Sequence, residues 1–322
     1  MIDSTDSPIS TYTGYDPDKY VLDDELQMAL NTALKLDLPL LITGEPGTGK
    51  TSLAYKIADK YGLRDHMGQT KPHVFNTKTT STAQSLFYTY DAVSHFQHAN
   101  VIDRGSEPKR VEEFIKLNAM GLSIFMSNRK LLGNQFANQF KVEKPQQSIV
   151  LIDEIDKADS DFPNDVLFEL ENLSFTIPEI DNRRFECGSA FKPIIIITSN
   201  SEKPLPSAFL RRCAYYHIPF PSKEKLIRIV AKYLTNPVDE VSLSMMMDKF
   251  LQIREISQIK KPATDELIKW FQILEFEQFL DLESVKQLKG DRLKLFQASL
   301  SVLIKTQDDL ENVSRQLDLI NT

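Results

Sequence analysis

The residues Gly44-Glu45-Pro46-Gly47-Thr48-Gly49-Lys50-Thr51 have the types and spacing that hold a polyphosphate. Glycines let backbone N–H groups approach phosphate oxygens, the lysine meets the β- and γ-phosphates, and the threonine hydroxyl meets Mg²⁺. A second group is Asp153-Glu154, which closes the apolar run Ser148 to Ile152. Alone, two acids after a strand more often mark a helix start. Behind a phosphate loop they read as a carboxylate that holds Mg²⁺ through its water shell, Asp153, and one that polarises the attacking water, Glu154. Asn200, at the end of the run Pro193 to Thr198, either forms a turn or orients that water beside the γ-phosphate. Arg211 and Arg212 close a short helical piece; they either complement its dipole or reach a neighbouring subunit's γ-phosphate. Lys157-Ala158-Asp159 mimics a guanine-reading motif, but it follows the acids immediately and has Asp156 where that motif needs asparagine.

These groups need elements to carry them. Pro39 to Ile42 reads as a buried strand, and Ser52 to Ala58 as the helix after the loop, with Ser52 extending the phosphate-binding set. Apolar periodicity from Tyr20 to Leu34 predicts a helix entering that strand, which sets its start near the base of a bound nucleotide. Pro72 to Thr77 reads as a second strand. The strand-helix rhythm then stops for an insertion of about 81–147, in which Ala83 to Phe96 and Val111 to Met126 look helical around a charged turn, Asp103 to Arg110. Phe175 to Phe185 reads as a hairpin, and 222–322 as helical, with Trp270, Phe271, Phe276 and Phe279 as its core.

At 322 residues the chain suits a large α/β domain, 20–221, followed by a smaller helical one, behind a polar arm, 1–19. A net charge of −7 with mixed signs lacks the field of a protein that mainly tracks nucleic acid. Lys109-Arg110, Arg129-Lys130 and Arg183-Arg184 are only scattered basic candidates for that role. The arm carries no apolar segment of the secretory kind and no run approaches a membrane span, so a cytoplasmic protein without membrane contact is expected. Cys187 and Cys213 have no metal or disulfide spacing and are expected as reduced thiols; His95 and His98 lack further ligands for a metal.

Together these motifs resemble an AAA+ ATPase, most of all the MoxR-like group, over about residues 20–309. Gly44 to Thr51 matches its Walker A motif, Leu151 to Glu154 its Walker B, Thr198 to Asn200 its sensor 1 region, and Leu210 to Arg212 its arginine-finger segment. The resemblance implies a P-loop NTPase fold: a parallel five-stranded sheet in 5-1-4-3-2 order, flanked by helices, with a C-terminal all-α lid. It also implies ATP and Mg²⁺ as cofactors and a homo-oligomeric ring, commonly a hexamer, with ATP at each boundary. The Tyr20-Val21 backbone would lie against adenine. The usual lid sensor 2 arginine has no match, and Lys261 stands nearest its place. The function implied is ATP-driven remodelling or activation of a partner protein, in some relatives beside a von Willebrand A domain protein. A nucleic-acid translocase or loader, and an ATP-dependent assembly switch of a bacterial conflict or stress system, are the alternatives.

Overall fold

Apolar runs bounded by glycine, proline or acid become the strands of the central sheet. The computed structural model describes residues 15–100, 109–132, 136–281 and 290–316. Residues 1–14 of the expected arm and 103–108 of the expected charged turn lie outside these. The chain divides into two units: Leu22–Gly44 with Lys50–Ile218, and Glu45–Gly49 with Pro219 onward and the residues up to Val21.

The strands of the first unit are β1 (Leu40–Gly44), β2 (His73–Asn76), β3 (Tyr88–Tyr90), β4 (Ile115–Leu117), β5 (Ile149–Asp153), β6 (Ser174–Ile177), β7 (Arg183–Glu186), β8 (Ile194–Ser199) and β9 (Ala214–Ile218). Its helices are α1 (Asp24–Lys35), α2 (Lys50–Lys60), α3 (Ala83–Phe87), α4 (Ala92–Asn100), α5 (Ala119–Ser127), α6 (Arg129–Leu132), α7 (Phe162–Asp165), α8 (Leu167–Asn172) and α9 (Ser207–Leu210). Five strands form one parallel sheet in the order β2-β5-β8-β1-β9, which is 5-1-4-3-2 counted along these strands. Helix α2 packs on β1, β5 and β8, α1 on β1 and β9, and α5 on β2 and β5. Every residue of β1 and β8 is buried, as covered parallel strands require. Register aligns Thr43 with Ser199 and Asn76 with Asp153, so the polar strand ends share one sheet edge.

Two expectations need correction here. The first helix begins at Asp24, not Tyr20, with Asp23 as its N-cap and Tyr20 extended. Its opening acids, Asp24 and Glu25, suit the positive end of the helix dipole. Within the insertion, the expected long helices are broken by an antiparallel ribbon of β3 with β4. Each strand has three residues, too few for a period to declare itself, and Tyr88 and Leu117 gain their partners only by pairing. Helix α5 is buried on all sides, and its Gly121 is obligatory because a Cβ there would stand 2.1 Å from the Phe87 carbonyl oxygen. Phe87, Phe125, Phe136, Phe175 and Phe185 pack in one core that joins the insertion to the β6–β7 hairpin, Phe175 stacked on Phe87 and Phe185 and Phe136 edge-on to Phe185. Asp181 and Asn182 turn that hairpin with φ of 58° and 55°, a region short polar side chains tolerate.

The second unit contains α10 (Lys223–Ala231), α11 (Glu240–Ile256), α12 (Thr264–Phe276) and helices at Asp291–Ser299 and Gln307–Gln316. Its core includes Trp270, whose indole N–H donates to Ser299 Oγ, with Phe271 and Phe279. Phe276 does not join them and is 49% exposed, because it falls on the opposite face of α12 from Phe271 and Leu274. Residues Pro17–Lys19 form a capped 3₁₀ turn held by Lys232, whose ammonium donates to the Asp18 carbonyl. No helix among the described residues is long and apolar enough to cross a membrane.

Candidate functional site

Within the α/β unit, Gly44 ends β1 and Lys50 opens α2, and the buried Lys50 ammonium donates to the Gly44 carbonyl at 2.8 Å. Burial pushes the Lys50 pKa down, against the opposing pull of Asp153, Asp156, Glu154 and Glu202. A phosphate beside it would add negative charge that favours the ammonium form. Thr51 Oγ1 donates to Asp153 Oδ1 at 2.9 Å. A hydroxyl and a carboxylate so placed are the hard oxygen donors Mg²⁺ prefers. In the second unit, Gly47 and Gly49 of the loop have φ of 75° and 86°, values that disfavour any side chain. A Cβ on Gly47 would stand 3.0 Å from Ala263 Cβ, and one on Gly49 would stand 3.1 Å from the Tyr20 ring. Val21 follows Tyr20 in the extended segment before α1, and Pro46 and Thr48 complete the loop, Thr48 Oγ1 donating to the Glu45 carbonyl. Ser52 lies in the first turn of α2.

The sheet edge then assembles the acids. Thr198 Oγ1 donates to Asp153 Oδ1 at 2.6 Å and accepts the Glu154 N–H at 2.8 Å, so one hydroxyl ties both. Glu154 is left-handed, with φ of 55°. Its Oε1 accepts from Asn200 Nδ2 at 3.0 Å, and its Oε2 is ion-paired with Lys157. Asp156, almost wholly buried, accepts the N–H groups of Asn200 and Glu202 and so fixes the turn that presents Asn200.

Arg211 and Arg212 are not brought to this edge. They line a cavity of about 1030 Å³ with Pro39, Leu40, Pro193 and Ile194, which begin β1 and β8. From the Pro193–Ile194 end that lines this cavity, β8 runs six residues, about 17–20 Å at a strand's rise, before Asn200. Arg212 is ion-paired with Glu171 and donates to the Ala208 carbonyl at 3.1 Å. Arg211 is exposed; its backbone N–H donates to the Ser207 carbonyl, and its side chain makes no hydrogen bond or ion pair among the described residues. Lys261 is exposed in the connector before Pro262. Burial raises both thiols, Cys213 to about 12, which leaves them poor nucleophiles at neutral pH.

Three contributors carry no site role in the sequence reading: Asp156, Lys157 and Arg254. Thr198 is named there only as the start of the sensor 1 segment, without its link between the two acids. Arg254 could not be found there, since its ion-pair partner is Glu45, 209 residues away.

The family described as "ATPase family associated with various cellular activities (AAA)" matches residues 40–222, more than half of the chain, and the protein belongs to it. Its members are ATPases built on this nucleotide-binding fold. A Thermotoga maritima RuvB variant is similar in structure at 14% identity and TM-score 0.45, covering 94% of this chain and 90% of that one. A structure titled for katanin self-assembly gives 13% identity and TM-score 0.42, with 94% and 90% covered. A second T. maritima RuvB variant gives 14% and 0.41, with 94% and 91% covered. Among curated proteins none matches.

Proposed function

We propose that this protein is an ATP-hydrolysing ring ATPase of MoxR-like type, which converts ATP binding and turnover into remodelling or activation of a partner protein. The observation that carries the reading is the chain of contacts from Thr51 through Asp153 and Thr198 to Glu154 and Asn200. Lys50 and the loop amides would hold the phosphates, while Thr51 and Asp153 would hold Mg²⁺, which would supply charge neutralisation on the phosphoryl oxygens. Glu154 takes up the proton of the attacking water. Asn200 steadies its carboxylate, and Lys157 competes for it. The placement of Arg211 supports a role in trans, since the sheet stands between it and its own chain's acids, so each site is completed by a neighbour.

Two variants test this. Lys50→Ala should lose ATP binding, whereas Glu154→Gln should bind ATP without turning it over. Parental turnover by Glu154→Gln would remove Glu154 from the mechanism. The trapped variant is also the one with which a client should co-purify.

A further inference from the structure

The geometry points to Arg254, not Lys261, as the cation with which the helical unit holds the phosphate loop in its binding shape. Taking that loop to bind ATP rests on the function proposed above. Arg254 lies in the last turn of α11 and is only 9% exposed. Its three contacts lie on different segments. Nη2 pairs with Glu45 Oε2 at 2.5 Å, in the loop itself. Nη1 donates to the Pro262 carbonyl at 2.5 Å, one residue before the Ala263 N-cap of α12. The guanidinium plane lies over the Phe220 ring, 3.6 Å from its centroid.

The second contact matters because α12 opens against the loop: Ala263 Cβ is the nearest atom a Gly47 side chain would meet. One guanidinium therefore fixes the start of the loop and the backstop behind its middle. The connector is braced again from below, where buried Asp309 accepts the N–H groups of Gln258, Ile259 and Lys260. A planar fork with separate donors can serve a carboxylate and a carbonyl at once, and a lysine ammonium lacks that geometry. Lys261 has no hydrogen bond or ion pair among the described residues.

Arg254 is thus a positioning residue. It sets the direction of loop N–H groups that meet phosphates common to ATP and ADP, and it does not read the γ-phosphate. That distinction gives the test. ATP and ADP affinities, kcat and KM are measured for the parental chain and for Arg254→Gln, Arg254→Lys, Glu45→Gln, Lys261→Ala and the Arg254→Gln/Glu45→Gln double variant. Thermal melts accompany each. Arg254→Gln should weaken both nucleotides by about tenfold to a hundredfold, as for coupled neighbours, with kcat at saturation changed much less. Glu45→Gln, at a half-exposed position that leaves the helical core intact, should do the same, and the double variant should be no worse than either single one. Arg254→Lys should recover part of the loss, and Lys261→Ala should lose little. Loss of ATP with ADP unchanged, additive single effects, or an equal loss in Lys261→Ala would overturn the assignment. Parental affinity in every variant would also overturn it while leaving the ATPase reading intact. A parental chain that bound neither nucleotide would remove both.

Discussion

Replacing Thr198 by valine keeps the shape of a fully buried β-branched side chain and deletes one hydroxyl. That hydroxyl makes two contacts, one to the Asp153 carboxylate at 2.6 Å and one from the Glu154 N–H at 2.8 Å. A hydrogen bond to a charged group contributes about 1.5–3 kcal/mol, and an N–H left buried without a partner costs about 1–3 kcal/mol. The sum, about 2.5–6 kcal/mol, is an upper bound on what is lost from folding and catalysis together. The share that falls on turnover is set by Glu154, whose left-handed backbone is held partly by that N–H contact. If about 1.5–3 kcal/mol of the loss appears in the transition state, turnover falls roughly 10- to 150-fold. ATP affinity, which depends on the loop and Lys50, should change less than threefold. The assay is steady-state ATP turnover across a Mg²⁺ titration, with nucleotide binding and a thermal melt on the same samples. Thr198→Ser restores the hydroxyl and should recover most of the activity. A folded Thr198→Val protein within twofold of the parental rate, or a serine variant no better than valine, would refute the bridging role.

Arg211→Ala should lose roughly 10³–10⁵ in turnover if its guanidinium acts on a neighbour's phosphate, while Arg212→Ala, which breaks an exposed pair with Glu171, should stay within a few-fold. Mixing Arg211→Ala with Glu154→Gln subunits, after subunit exchange has been confirmed with a tag, should restore hydrolysis, and a mixture as inactive as its parents would end the trans reading. The buried His73 supplies a stability prediction: its Nε2 accepts the His66 N–H, so its Nδ1 carries the proton and donates to Ser123 Oγ. Burial first, and His66 second, push its pKa down to about 3. With an unfolded value near 6.5, the unfolded chain binds the extra proton. The stability that His73 contributes is therefore complete above about pH 6.5 and falls as pH drops toward 3, by about 1.4 kcal/mol per unit. Unfolding free energies from urea titrations at pH 7.5 and 4.5 should differ by roughly 3 kcal/mol less in His73→Gln than in the parental chain, and equal differences would discard the assignment.

Some of this was readable in the chain because its cause is local. Gly44 to Thr51 is contiguous, and its backbone angles, lysine and hydroxyl act within two turns of chain. The runs Ile149–Asp153 and Ile194–Ser199 are apolar because both faces of a parallel sheet are covered, and their polar ends declare the edge where chemistry collects. The glutamate, the asparagine and the arginine pair could be named from that order alone. What each arginine does could not. Arg212 is bound to Glu171, a partner 41 residues away, while the Arg211 side chain has no partner among the described residues, and nothing in the local sequence separates them. The β3–β4 ribbon was hidden for the same reason, since its three-residue strands have meaning only as a pair. Lys261 looked like the lid cation because it stands before a proline-led helix, yet the buried cation on the loop is Arg254, placed there by the packing of α11 and α12. Periodicity and motif report what a residue's near neighbours require. Pairing between distant segments depends on how helices and strands pack, and the tertiary structure alone determines it.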